Sequence, residues 1–188
     1  MGYTTYFKGG LKFNKPVTEE LYDYINAFSS TRRMKRDVDK IKELYPNWKE
    51  LCFNGELGDE GEYFIGDDDF MAQDKETTIV NYNYPPATQP GLWCQWVIFE
   101  NELVWDEGEK FYHYVEWLEY LIGNFFGPQG YALNGEISFE GEDSEDFGVI
   151  VVTDNHVEVH YGIHTYSLRE ISDSTLLDEM IRRGYNVG

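Results

Sequence analysis

Several features that would assign a chemistry are missing from this sequence of 188 residues. Cys52 and Cys94 are the only cysteines, which excludes a disulfide scaffold and a four-cysteine zinc site and is typical of a reducing cytoplasm. No uncharged apolar run reaches the roughly 18 residues that a membrane-spanning helix needs. The first residues, MGYTTYFKGG, lack the apolar stretch of a secretory signal. The sequence therefore predicts a soluble, cytoplasmic protein.

The short motifs of several enzyme classes are also missing. There is no GxSxG nucleophile elbow, no GKS or GKT phosphate loop and no GxGxxG turn after a strand. Cys94 lies between two tryptophans in a predicted strand, where a small thiol packs well, whereas a catalytic thiolate needs a base and a positive environment. Enzyme activity stays open, but the sequence favours a non-enzyme, and we predict no catalytic residue and no cofactor.

Negative charge is abundant and unevenly placed. The chain has 35 acidic and 15 basic side chains, which gives a formal net charge of −20. Residues 51–150 carry 22 of the acids and only two cations, Lys75 and Lys110, whereas residues 1–50 have a small basic excess. Such a field repels nucleic acid and anionic lipid and attracts basic protein surfaces. We therefore expect no nucleic-acid or membrane partner.

The pattern of apolar residues predicts helices and strands in alternation. Spacings of three and four predict a helix from the cap at Thr18 through Phe28, a short helix before Pro46 and a long one from about Glu109 to Phe126. A final short helix is predicted from Ser172 through Arg183. Compact or alternating apolar runs predict strands at 3–13, 63–65, 77–82, 92–99, 103–105, 131–140, 147–153 and 156–163.

This order of elements predicts the fold class. Consecutive hairpins, one of them turning at Asp154 and Asn155, favour an α+β fold with a single antiparallel sheet and helices packed on one face. The order also permits a ferredoxin-like arrangement. We expect the long helix to bury Trp117, or its neighbours Leu118 and Leu121, against the sheet. Because no repeat or flexible linker interrupts residues 1–188, the sequence predicts one acidic domain.

Two groups of side chains resemble metal sites. His156, Glu158 and His160 alternate along one predicted strand and so share a face, with His164 beyond them. The alternative is the solvated face of an edge hairpin. The acidic clusters 67–69 and 140–146 lack the ligand spacing of an EF-hand loop. We therefore predict no structural metal.

One basic and one aromatic segment contrast with the acidic centre. The sequence TRRMKR at 31–36 has four cations in five residues, which suit either phosphate binding or pairing with the acids. The aromatic residues of 82–117 suit either a core or the stacking of a base or sugar. The residues that could form a ligand pocket are Arg32, Arg36, Trp93, Trp96 and Lys110.

Four blocks of this sequence carry a resemblance. They are YNYPPATQPGLWCQW at 82–96, WDEGEKFY at 105–112, EWL at 116–118 and LNGE at 133–136. With a basic stretch before them, as at 31–36, they resemble a family of small, uncharacterised bacterial and phage proteins. Glu107 departs from the pattern, which has a second glycine there. The resemblance implies an accessory gene product of a phage or prophage and transfers no activity.

Two functions remain open from the sequence. The first is an acidic accessory protein that inhibits a host defence enzyme, such as a CRISPR nuclease or a restriction complex, by mimicking DNA and occupying its basic nucleic-acid groove in the host cytoplasm. Its predicted contact residues are Asp67, Asp68, Asp69, Glu140, Glu142, Asp143, Glu145 and Asp146. The alternative is a protein or enzyme that binds a small, nucleotide-like ligand in the basic and aromatic pocket.

Overall fold

The computed structural model describes residues 2–66 and 77–162. Three helices and eight strands lie in these ranges. In chain order they are β1 (Thr5–Phe13), α1 (Glu19–Ser30), β2 (Lys35–Arg36), α2 (Val38–Leu44), β3 (Ile79–Asn81), β4 (Trp96–Phe99), β5 (Glu102–Trp105), α3 (Tyr114–Leu121), β6 (Leu133–Gly141), β7 (Phe147–Thr153) and β8 (His156–Tyr161). The predicted final helix, His164 and residues 67–69 lie outside the described residues.

Six strands form one antiparallel sheet in the order β4-β5-β1-β6-β7-β8, which confirms the predicted α+β class. The central pair, β1 and β6, is in continuous register from Thr5 opposite Gly141 to Phe13 opposite Leu133. The order of β4, β5, β1 and β6, with α1 and α3 in the crossovers, fits the ferredoxin-like arrangement. Strands β2 and β3 form a separate two-stranded sheet.

The core lies between one face of the large sheet and the helices. Leu11, Leu103 and Ile137 project from the sheet and are fully buried. As predicted, α3 buries Trp117, Leu118 and Leu121, and each such side chain contributes roughly 1.5–3 kcal/mol of hydrophobic stabilisation. On the opposite face, alternate residues of β1, including Lys8 and Lys12, are exposed. The sheet is therefore covered by helices on one side only.

The first helix begins where the sequence predicts and also covers an edge of the sheet. Thr18 Oγ1 accepts a hydrogen bond from the Leu21 amide, which caps α1. Asn26 bonds both the amide and the carbonyl of Ile98, and Ser29 Oγ donates to the Trp96 carbonyl. These bonds satisfy backbone groups of the edge strand β4, which would otherwise be open to pairing with another strand.

The third helix starts later than the sequence predicts. It begins at Tyr114 rather than near Glu109, because Lys110 and His113 have φ angles of 61° and 57° and so cannot be part of an α-helix. Phe111 is nevertheless buried, so its apolar spacing reflects packing of a loop against the core. A π-helical turn at Ile122–Phe126 continues the helix.

Two strand predictions need correction, and one turn is confirmed. In place of the predicted strand 63–65, a turn ends at Tyr63 and Phe64 makes a single β-bridge to Cys52. The predicted strand 92–99 begins only at Trp96. The turn at Asp154 and Asn155 joins β7 to β8 with φ angles of 48° and 69°, as a two-residue hairpin requires.

None of the helices in the described ranges has the length and apolar character needed to cross a membrane.

Candidate functional site

A cavity of about 900 Å³ lies beside α3, between the segment 83–95 and residues 106–113, here called the cavity loop. Its volume falls in the range of small-molecule sites, about 300–1,000 Å³. The charged and aromatic side chains that line it are those of Arg32, Trp93, Glu109, Lys110, Tyr112 and His113. We call this the basic–aromatic cavity.

The structure brings together three of the five residues predicted to form a ligand pocket. Arg32, Trp93 and Lys110 line the cavity. Trp96 does not, because it points into the core, is fully buried and donates from Nε1 to the Tyr114 carbonyl. Arg36 is also buried elsewhere, where Nη1 donates to Thr78 Oγ1 at 2.8 Å. The pocket prediction is therefore wrong for Trp96 and Arg36.

Arg32 is held at the cavity wall by two contacts. Its Nε donates to the Tyr82 carbonyl at 3.1 Å, and its guanidinium carbon lies 5.8 Å from the centre of the Trp93 ring. Partial burial lowers the pKa of Arg32, but the guanidinium stays charged at neutral pH because an arginine normally titrates above about 12. The wall therefore presents a fixed positive charge beside an aromatic ring.

A buried glutamine shapes the cavity loop. Gln95 Nε2 donates to the Glu109 carbonyl at 2.9 Å, and Gln95 Oε1 accepts from Trp105 Nε1 at 3.2 Å. Gly108 lies so close that a Cβ on it would come within 2.9 Å of Gln95 Cδ. Sequence reasoning missed Gln95, because a polar residue between Cys94 and Trp96 could equally be a surface side chain.

The cavity loop contains three non-glycine residues in the left-handed region. Glu107, Lys110 and His113 have φ angles of 66°, 61° and 57°. Glycine is the residue that adopts this conformation at least cost. Strained backbone of this kind costs of order 1–3 kcal/mol per residue and concentrates at functional sites. Two of the three strained residues, Lys110 and His113, line the cavity.

Arg33 lies in the core, in contrast to its neighbour Arg32. Its Nη2 donates to the carbonyls of Glu62 and Phe64 at 2.7 and 3.0 Å, and its guanidinium carbon lies 4.0 Å from the centre of the Phe28 ring. Burial lowers the pKa of Arg33 to about 10, so it remains charged at neutral pH. Arg33 therefore ties the segment 62–64 to α1 and does not reach the cavity.

The acidic residues 140–146, here called the acidic loop, are divided between internal contacts and solvent. Glu142 Oε1 accepts from the Thr4 amide at 2.9 Å, and Asp146 Oδ2 accepts from the Tyr3 hydroxyl at 2.7 Å. Glu140, Glu142, Asp143 and Glu145 are exposed, and Asp143 Oδ1 also accepts from the Glu145 amide at 3.0 Å. The other predicted contact residues, Asp67, Asp68 and Asp69, lie outside the described part of the chain.

The histidine strand and the cysteines offer no reactive centre in the described residues. His156, Glu158 and His160 share the exposed face of β8, with each imidazole Nε2 about 3.4–3.5 Å from a Glu158 oxygen. Among residues 2–66 and 77–162, no three His, Cys, Asp or Glu side chains are grouped to hold a metal. Burial raises the pKa of Cys94 to about 12 and that of Cys52 to about 11, so both stay protonated.

Comparisons of this chain with protein-family models, with curated proteins and with solved structures found no match. Its function is therefore inferred from the geometry of the site.

Proposed function

We propose that the protein binds a small anionic molecule with a planar ring, of the mononucleotide class, in the basic–aromatic cavity. The observation that carries the proposal is the convergence of Arg32, Trp93 and Lys110 on one cavity from three separate segments of the chain. Lys110 is one of two cations among residues 51–150, and it lies in this cavity.

The cations favour an anionic group on the ligand. Arg32 carries a guanidinium suited to bidentate bonds with phosphate, and Lys110 adds a flexible ammonium. The protein as a whole is strongly acidic, so this local positive charge attracts an anion against the long-range field. Such a ligand must be small enough to enter the cavity, since an extended polyanion would meet the surrounding acids.

The walls favour a planar group on the same ligand. Trp93 and Tyr112 offer ring faces, and the neighbouring Pro90 and Gly91 leave apolar surface beside them. Asn83 and His113 are exposed at the same cavity and supply donors and acceptors for the edge of a base. A nucleoside monophosphate has both the charge and the ring that these residues suit.

The test is calorimetric titration of the protein with AMP, GMP, CMP and UMP, together with adenosine and ribose 5-phosphate. We expect at least one monophosphate to bind with micromolar to millimolar affinity, and the matching fragment without base or without phosphate to bind more weakly. Arg32→Ala and Trp93→Ala should each reduce the affinity by about tenfold or more. Lys42→Ala, which removes an exposed cation from α2, is the control and should change nothing. Absence of binding to all four monophosphates would reject the proposal.

A second candidate is the acidic inhibitor of a host defence enzyme that mimics nucleic acid. The observation that favours it is exposure: most described acidic residues of the segment 51–150 face solvent, including Glu140, Asp143 and Glu145. The resemblance to phage proteins supports the same idea. Against it, Lys8 and Lys12 are exposed on the open face of the sheet, and Lys12 pairs with Glu102 there.

Substitutions separate the two candidates. Reversing Glu140, Asp143 and Glu145 to Lys changes the net charge from −20 to −14. An inhibitor that mimics DNA should then lose most of its binding to a basic nuclease, chiefly through slower association that added salt also removes. The nucleotide-binding protein should tolerate these reversals and lose binding with Arg32→Ala. Tolerated reversals in a nuclease-binding assay would reject the second candidate.

A further inference from the structure

Residues 2–4 connect the acidic loop to the rim of the basic–aromatic cavity. At one end, the Tyr3 hydroxyl donates to Asp146 Oδ2 at 2.7 Å and accepts from the Asp143 amide at 3.1 Å. The Thr4 amide donates to Glu142 Oε1 at 2.9 Å. Two carboxylates and one backbone amide of the acidic loop therefore hold Tyr3 and Thr4.

At the other end, the same segment contacts two residues of the cavity. The Tyr3 amide donates to the Tyr112 hydroxyl at 3.1 Å. Gly2 lies against the aliphatic part of Lys110, so closely that a Cβ on Gly2 would overlap Lys110 Cε and Cδ. Lys110 and Tyr112 both line the cavity and are both exposed, so few other packing contacts restrict their side chains.

Glycine is needed where the tyrosine meets the acidic loop. A Cβ on Gly141 would overlap the Tyr3 hydroxyl oxygen and approach Asp146 Oδ2. The Gly141 amide also donates to the Asp146 carbonyl at 2.7 Å, which closes the loop around the tyrosine. The acidic loop therefore forms a close-fitting binding site for the Tyr3 hydroxyl.

We propose that residues 2–4 are a strap that positions Lys110 and Tyr112 at the cavity rim, with Tyr3 as the positioning residue and the acidic loop as its anchor. The strap fixes one cation and one ring of the cavity without touching the ligand. Its effect on ligand affinity rests on the proposed function, whereas its effect on the cavity loop does not. In this proposal, Glu142 and Asp146 of the acidic loop hold the strap and do not serve as contacts to a partner protein.

Tyr3→Phe tests the strap because it removes the hydroxyl and keeps the ring. We expect lower ¹⁵N order parameters at residues 110–112 in the ligand-free protein, since the bond from Tyr3 to Tyr112 loses its anchor. The affinity for AMP should fall by about five- to tenfold, the loss expected from one or two hydrogen bonds. Tyr22→Phe, an exposed tyrosine on α1, is the matched control and should change neither measurement.

A second variant tests whether the two ends of the strap act together. Tyr112→Phe removes the acceptor of the Tyr3 amide and keeps the ring in the cavity wall. If both hydrogen bonds belong to one continuous strap, breaking the second adds nothing once the first is broken. The double variant Tyr3→Phe/Tyr112→Phe should then have the same order parameters as the single variant with the larger effect. Independent, additive effects would contradict a continuous strap.

The outcomes distinguish this proposal from the proposed function. Unchanged order parameters at 110–112 in Tyr3→Phe would overturn the strap, whatever the ligand affinity. Changed order parameters, with no binding of AMP, GMP, CMP or UMP by the wild type, would support the strap and reject the ligand class. Gly141→Ala should reproduce the order-parameter change of Tyr3→Phe, since the added Cβ displaces the Tyr3 hydroxyl from the acidic loop.

Discussion

The basic–aromatic cavity and the acidic loop differ in how the chain builds them. The cavity takes its residues from three separate segments, at Arg32, at 83–95 and at the cavity loop. The acidic loop is continuous in sequence, yet two of its carboxylates, Glu142 and Asp146, are occupied by backbone and hydroxyl donors from residues 3 and 4. A run of like charges is therefore a weaker indication of a binding site than scattered residues that converge on one cavity.

The largest expected effect is on ligand binding at the cavity. Reversal of both cations in Arg32→Glu/Lys110→Glu should lower the affinity for a nucleoside monophosphate by at least about 100-fold, because it replaces two charge-assisted contacts with repulsion. Calorimetry measures this loss. The control Lys8→Glu/Lys12→Glu makes the same change in net charge on the open sheet face and should alter the affinity less than about twofold. Equal losses in both variants would show that only net charge matters.

The next effect is on the stability of the cavity wall. Gln95→Leu should lower the free energy of unfolding by about 1–3 kcal/mol, because it leaves the Glu109 carbonyl and Trp105 Nε1 without their partner. Urea denaturation measures the change. Gln129→Leu, at a partly exposed glutamine away from the cavity, should stay within about 0.5 kcal/mol of wild type. A Gln95 variant as stable as wild type would show that the loop holds without this clamp.

A smaller effect separates the acids within the acidic loop. Asp146→Ala should lower the melting temperature by about 2–4 °C, because it removes the acceptor of the Tyr3 hydroxyl. Glu145→Ala, at an exposed neighbour, should change it by less than about 1 °C. Calorimetric scans of both variants measure the difference. Equal shifts would mean that the loop is uniformly solvent-facing and has no anchoring residue.

The smallest effect concerns the thiols, of which Cys94 lies in the chain between two residues that line the cavity, Trp93 and Gln95. Burial disfavours the thiolate and raises the pKa of Cys94 to about 12 and of Cys52 to about 11, so at pH 8 both remain protonated. Ellman's reagent should therefore react slowly with the native protein and rapidly after unfolding in urea. Fast reaction of Cys94 in the native state would show that its thiol is accessible and reopen an enzymatic function.

Local patterns predicted most of the fold. Thr18 caps α1 because its hydroxyl reaches the Leu21 amide, and the apolar spacing of Leu118 and Leu121 places both against the sheet. The same reasoning overextended α3 to Glu109, because the apolar period of Phe111 continues through residues whose backbone is left-handed. Periodicity reports which side chains are buried and does not report φ, so a loop packed on the core resembles a helix in sequence.

The candidate site was predicted only in part, for a related reason. Arg32 and Arg33 have the same side chain and adjacent positions, yet one lines the cavity and the other lies in the core under Phe28. Trp93 and Trp96 divide in the same way. Composition identifies a residue's possible chemistry, but the direction of each side chain depends on which segments pack around it.

The sequence by itself determined the acidic character, the α+β class and the apolar faces of α1 and α3, since these follow from composition and from contacts between near neighbours in the chain. Only the tertiary structure decided that Lys110 meets Arg32 at one cavity, and that Tyr3 joins Tyr112 to Asp146. Such contacts join residues up to 143 positions apart. They arise from the packing of the whole chain, which no local pattern of residues encodes.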